Sequence, residues 1–248
     1  MSNIKKLMMS AAGGEALNVE DVFSTYLYNG TATNVSHQIQ NGIDLDGEGG
    51  LVWIKKRDSN IANTNHYLSD TERGNYYIAS NSTNAQAAGD IASYNSDGWT
   101  FNASTGLGTD YLAAQSYASW TFRKAPKFFD IVTWTGNGVN GRSISHSLNS
   151  LVGMITVKCT STSGTNWSTW HRGASGTLWL NSDLPDSANG GGQATSGFVY
   201  NPGSNTSAFS VDNGANVNQS GRTYVAYIWA HNNGDGEFGP DGDQDIIK

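Results

Sequence analysis

The chain has 248 residues, with 14 Lys and Arg against 21 Asp and Glu, for a formal charge of -7. No basic run is available to displace counterions, which excludes a nucleic-acid backbone as the partner. The single cysteine, Cys159, excludes an internal disulfide and a cysteine-built metal cage, and burial as a small hydrophobe is expected for it.

Residues 1–20 read as an arm without a strand pattern, in which Leu7, Met8 and Met9 form a candidate docking segment. The run LMMSAA is too short for a signal-peptide core or a bilayer span, so a soluble chain without membrane insertion is expected. The next unit, residues 21–125, opens with the β-branched and aromatic run Val22–Tyr28, stopped by Asn29-Gly30. Further strands are expected at Val35–Ile39, Leu51–Lys55, His66–Leu68, Tyr76–Ala79, Gly98–Phe101 and Tyr117–Phe122. Arg123, Lys124, Ala125, Pro126 and Lys127 form a short charged linker in which Pro126 ends strand pairing.

Residues 126–231 then repeat the pattern. TYVAYIW at 223–229 reproduces SYASWTF at 116–122, the glycine closing IVTWTG at 136 answers Gly30, and GMITVK at 153–158 answers GLVWIK at 50–55. The offsets are 107, 106 and 103 residues, so a unit of roughly a hundred residues is written twice. Counterpart strands are expected at Ser143–Leu148, Met154–Lys158, Trp167–His171, Leu178–Leu180, Ala208–Val211 and Tyr224–Trp229. The last is apolar on both faces, which predicts a central strand covered on both sides.

Asn-Gly and Asp-Gly pairs punctuate these runs, as at 41–42, 97–98, 137–138 and 213–214. Such pairs tolerate the positive φ that tight hairpins need. No segment keeps a helical period for three turns. The expected fold is all-β, two tandem antiparallel β-sandwiches of jelly-roll type. One larger sandwich built from complementary halves remains the rival. Residues 232–248 form an acidic, glycine-rich tail.

Chemistry is sparse. The histidines His37, His66, His146, His171 and His231 stand far apart, and no hydrolase, phosphate-loop or dinucleotide motif occurs. Asp44, Asp46 and Glu48, and again Asp70 and Glu72, could serve as a glycosidase pair, but a solvated turn before a strand is the plainer reading for the first group. No catalytic residue and no cofactor are expected. Asp241, Asp243 and Asp245 alternate as Ca²⁺ ligands can, although they miss the EF-hand register. Trp167, Trp170, His171 and Trp179 form a candidate glycan-binding group, because aromatic faces stack on sugar rings. Trp167 and Trp170 are three apart, so on a strand they face opposite sides, and at least one belongs to a core.

The run KAPKFFDIVTWTGNGVNGRSISHSLNSLVGMITVK, then WSTWHRG, LWLNS and SGRTYVAYIWAH, resembles a repeated β-sandwich module of tailed-bacteriophage virion proteins, cyanophages included, of the tail-fibre or concanavalin/lectin-like kind. LNVEDVFSTYLYNG, HYLSDTERG and SYASWTFRKAP are similar to the amino-terminal copy in such proteins, so the resemblance covers about residues 15–248. It implies a structural component of a virion, assembled in the host cytoplasm as a tail fibre or particle-surface protein that contributes to host attachment. It also implies other virion proteins as partners and a homo-oligomer, a trimer by the habit of fibres. A glycan-binding, lectin-like module for host surface polysaccharide and a capsid decoration protein are the alternatives. The resemblance carries no catalytic residue.

Overall fold

A computed structural model describes residues 17–30, 36–58, 65–102, 115–185 and 205–231. After a one-turn helix, α1 (Val19–Val22), the first repeat contributes β1 (Phe23–Asn29), β2 (His37–Gln40), β3 (Gly50–Lys56), β4 (His66–Asp70), β5 (Tyr76–Ala79), β6 (Ala87–Ala88), β7 (Ile91–Asn95), β8 (Gly98–Phe101) and β9 (Ser116–Arg123). The second contributes β10 (Phe129–Thr135), β11 (Arg142–Ser145), β12 (Val152–Cys159), β13 (Ser168–His171), β14 (Leu178–Trp179), β15 (Ala208–Val211) and β16 (Thr223–Ala230).

The larger sheet of the first repeat runs β1-β9-β3-β4-β5-β6, and its smaller sheet β2-β8-β7. In the second repeat the orders are β10-β16-β12-β13-β14 and β11-β15. Strand order thus recurs: each opening strand lies at an edge beside its closing strand, and the closing strand lies beside the apolar third one. Every pairing between these strands is antiparallel.

Each repeat fills its own sandwich. Ile39, Val52, Ile54, Trp99, Phe101 and Tyr117 pack between the sheets of the first, and Ile144, Ile155, Val157, Phe209, Tyr224 and Ile228 between those of the second. Cys159 is fully buried in the second core, as a small hydrophobe should be. A third apolar layer lies between the two larger sheets, where Leu51, Leu68 and Ile78 meet Phe129, Ile131, Trp167, Val225, Tyr227 and Trp229. The molecule is therefore four sheets deep. β16 illustrates why: Tyr224, Ala226 and Ile228 enter one core while Val225, Tyr227 and Trp229 enter the other, and all but its first residue are buried. The expectation for that strand holds. β9 is equally central, but its buried Ser119 and Thr121 hide the fact in sequence.

β6 and β7 have no counterpart among the predicted strands. In β7 the register shifts between Ile91 and Ser93, so Ile91 and Tyr94, three apart, both reach the first core and the period of two is lost. Residues 17–20 correct the reading of a free arm. Leu17 packs on the layer between the larger sheets, and the Asp21 carboxylate accepts the Asn18 N–H at 3.2 Å to start α1, which buries Val22 completely. Residues 1–16, with Leu7, Met8 and Met9, lie outside the described residues. Gly98 follows a two-residue hairpin loop at φ 146°, where a Cβ would collide with the Ile39 carbonyl oxygen.

Polar contacts fasten the rim of the middle layer. The Gln86 N–H donates to the Thr160 carbonyl at 2.9 Å, and the Gly164 N–H to the Thr83 carbonyl at 2.9 Å. Lys158 is fully buried, its Nζ donating to the carbonyls of Thr83 (3.1 Å) and Thr165 (2.7 Å) and to Thr165 Oγ1 (2.9 Å). Burial pushes its ammonium down to about 8. With the folded value below the ordinary 10.5, the unfolded chain holds the extra proton between about 8 and 10.5, so this group adds stability as pH rises through that window. Denaturant melts of the wild type and Lys158→Met at pH 7 and 9.5 check this. The stability difference moves in favour of the wild type at the higher pH, and a pH-independent difference refutes it.

Candidate functional site

The four aromatic candidates separate by strand register. Trp167 is fully buried between the larger sheets, and its indole N–H donates to the carbonyls of Ala79 (3.0 Å) and Ser82 (3.2 Å) in the other repeat. A ring without exposure cannot stack on a sugar, so Trp167 leaves the glycan-binding group and becomes a fastening between repeats. Trp170 pairs with Ile155 and Trp179 with Ser168, which puts both indoles on the face turned toward β11–β15. His171 pairs with Met154 on the opposite face, exposed, its Nδ1 accepting the Gly173 N–H at 3.1 Å. It is thereby removed from the two indoles. The opposite-facing reading of Trp167 and Trp170 holds, with Trp167 in the core.

Two tryptophans remain together. Both are half-buried, and Trp170 packs against the second core. Two strands span about 10 Å where five span about 24 Å, so among the described residues the two strands β11 and β15 oppose only part of the five-stranded sheet. The first repeat carries a related pair that the sequence reading missed. Tyr67 pairs with Ile54 and Ala79, so it shares with Tyr77 the face turned toward the smaller sheet. The two rings meet edge to face, 5.0 Å apart at 82°. Desolvation, with a smaller contribution from Asp90, pushes both phenols above their ordinary range. The Tyr-Leu and Tyr-Tyr steps in HYLSD and NYYIA carry the signal, but only the register shows which ring of each run joins the pair.

The acidic candidates have structural partners. Asp44 Oδ1 accepts the Gly47 N–H at 3.0 Å, the turn expected there, and Glu48 meets Arg123 at 3.3 Å. Asp70 is fully buried. Its Oδ1 accepts the Arg73 N–H (2.9 Å), and its Oδ2 accepts Arg73 Nε–H (2.6 Å) and the Tyr227 hydroxyl (2.8 Å) from the second repeat. Burial opposes the Arg73 charge, yet Tyr227 and the Asp70 carboxylate hold the guanidinium above its ordinary value. Glu72 is instead at the surface, 2.5 Å from Lys124 Nζ. Asp70 and Glu72 are therefore engaged with different cations. Among the described residues, no group of three His, Cys, Asp or Glu could hold a metal ion. Asp241, Asp243 and Asp245 lie outside them. No described helix is long and apolar enough to cross a membrane.

One polar cleft of about 490 Å³ opens where the repeats join. Glu72 and Lys124 line it from the first repeat and linker, β10 forms one wall, and β11 with Ser147 the other. Asp130 bridges the walls, its Oδ1 accepting the Ile131 N–H (2.8 Å) and its Oδ2 the Ser147 N–H (2.7 Å). His146 also lines the cleft and is 7% exposed; its Nδ1 accepts the Leu148 N–H at 3.2 Å, and its buried Nε2 has no hydrogen-bond partner among the described residues. Burial lowers the basicity of this imidazole, with Asp130 opposing.

One family model, described as a domain of unknown function (DUF7483), matches residues 18–241. No curated protein and no solved structure matches the chain. The matched span takes in α1, both larger sheets and the layer between them, so the unit the family describes is the joined pair of sandwiches. The chain belongs to the DUF7483 family.

Proposed function

We propose that the chain is a structural component of a bacteriophage virion, a tail fibre or particle-surface protein that contributes to host attachment by contacting surface glycan. The observation that carries the glycan contact is the placement of the half-buried Trp170 and Trp179 on one face of β13–β14. Half-buried indoles held by a sheet lose little freedom when a sugar ring stacks on them. The virion role rests on the resemblance of the repeated sandwich. Assembly into a homo-oligomer, a trimer for a fibre, agrees with the edge strand β1, where Leu27 is 59% exposed. No catalytic step belongs to this reading.

The test is a glycan array probed with the wild-type chain and with Trp170→Ala. The expected result is binding to a restricted set of glycans by the wild type, reduced at least about tenfold in the variant, with the far-ultraviolet circular dichroism of the folded chain retained at the assay temperature. Equal binding by both proteins refutes the assignment of this face. Deleting residues 1–16, which spares Leu17 and the start of α1, is expected to abolish incorporation into particles, and normal incorporation ends the docking role of Leu7, Met8 and Met9. Light scattering of the purified chain reports the oligomer directly: a trimer supports a fibre, and a monomer supports a decoration protein that orders on its particle.

A further inference from the structure

We propose that Asn140-Gly141, in the loop between β10 and β11, is a site of self-modification, where the asparagine converts through a succinimide to aspartate and isoaspartate without an enzyme. The reaction makes three demands. The backbone nitrogen of the following residue must be free to give up its proton and attack the asparagine Cγ. The side-chain amide must be free to turn toward it, and the five-membered ring must have room. Glycine hinders the attack least, because it carries no Cβ. The chain has seven Asn-Gly pairs, and five lie among the described residues, at 29–30, 41–42, 137–138, 140–141 and 213–214. The fold separates these five.

In four of them the attacking nitrogen is engaged. The Gly30 N–H donates to the Gln115 carbonyl (2.8 Å), the Gly42 N–H to the Asp97 carbonyl (3.0 Å), the Gly138 N–H to the Asn218 carbonyl (2.9 Å) and the Gly214 N–H to Asp212 Oδ1 (2.7 Å). Two of the side chains are held as well. Asn41 donates to Thr121 Oγ1 (2.8 Å) and accepts the Ile43 N–H (3.2 Å), while Asn137 Oδ1 accepts the Val139 N–H (2.9 Å) and the Asn218 amide (3.0 Å). Gly141 differs. Among the described residues its N–H donates to no group and the Asn140 side chain makes no hydrogen bond. Both residues are exposed, and a Cβ added at Gly141 would meet nothing within 4 Å. All three demands are met here. The Gly141 nitrogen bonds to Asn140 Cγ, the Cγ–Nδ2 bond breaks, and Nδ2 leaves as ammonia with the proton given up by the Gly141 amide. Water, the one co-reactant, then opens the imide. Breaking the bond to Cγ gives aspartate, and breaking the bond to the backbone carbonyl carbon gives isoaspartate. Either product adds a carboxylate two residues from Arg142, which lines the cleft. Isoaspartate also lengthens the loop backbone by one carbon. The chain thereby carries a slow, one-way change of surface charge.

The test incubates the full folded chain in warm, mildly alkaline buffer made with heavy-oxygen water, followed by peptide mapping with mass spectrometry. Each conversion then carries a heavy oxygen, which marks it as new. Asn140 is expected to convert at least about tenfold faster than each of the other four described pairs. A parallel incubation in denaturant removes the folded hydrogen bonds, and the five rates are expected to draw together. An isoaspartate-specific methyltransferase is expected to label the peptide containing residue 140 in the wild type and not in Asn140→Gln, whose exposed side chain leaves the circular dichroism unchanged. An intact Asn140 after the folded incubation overturns the proposal, as do like rates at all five pairs. A lead for Asn140 that is as large in denaturant would assign the effect to local sequence and refute the role of the fold. Aspartate formed without isoaspartate would refute the succinimide route.

Discussion

Asp70→Ala is expected to lower the unfolding free energy by about 3–5 kcal/mol, the usual cost of removing one partner from a buried ion pair. For a chain of this size that corresponds to a fall of roughly 10 °C in the thermal midpoint. The cost comes from what remains. Arg73, its side chain 4% exposed, keeps its charge in the middle layer with no carboxylate beside it, and the Tyr227 hydroxyl loses its acceptor. The double variant Asp70→Leu/Arg73→Met removes the stranded charge and is expected to recover much of the loss, because hydrophobic replacement of a complete pair is often neutral. Losses that simply add in the double variant would mean that the two groups do not act as a pair.

Trp167→Ala is expected to cost a similar ~3–5 kcal/mol, from the cavity left by a fully buried ring. Trp167→Phe separates the contributions. Phenylalanine keeps the packing against Tyr227, which Trp167 meets with ring centroids 6.3 Å apart at 22°, but leaves the Ala79 and Ser82 carbonyls without the indole N–H. A smaller loss of about 1–3 kcal/mol follows. Denaturant melts followed by fluorescence and far-ultraviolet circular dichroism measure both variants. Losses below 1 kcal/mol for the alanine variant would show that the larger sheets do not depend on this contact.

Both variants act on the layer that joins the repeats, and that layer was the least legible part of the sequence. The strands themselves could be read, because alternation and Asn-Gly or Asp-Gly punctuation are local. Asp70 and Tyr227, by contrast, are 157 residues apart, and nothing in HYLSDTERG or TYVAYIW says that they meet. The double-faced apolarity of Tyr224–Trp229 did show that something covers the second face, but not that the first repeat is the cover. Trp167 was misread for the same reason: an indole bound for a core in the other repeat looks, in sequence, like an indole at a surface. Tyr67 and Tyr77 were missed because each run also contains an apolar or aromatic neighbour, and only pairing with Ile54 and Ala79 settles which ring faces the smaller sheet.

With two sandwiches joined through their larger sheets, the Trp170–Trp179 face and the Tyr67–Tyr77 face point away from the middle layer, each toward the smaller sheet of its own repeat. Separate weak contacts on a rigid body reinforce one another only where a partner can reach both. A polymeric surface or a repeated array of the chain meets that condition more readily than a single small molecule.

The measurement that addresses the virion reading most directly is mass spectrometry of gradient-purified particles released from a host culture whose infecting genome encodes this chain. Its peptides are expected in the particle band, at an abundance comparable with that of the structural proteins. Peptides confined to the soluble lysate, with none in the particles, would contradict it.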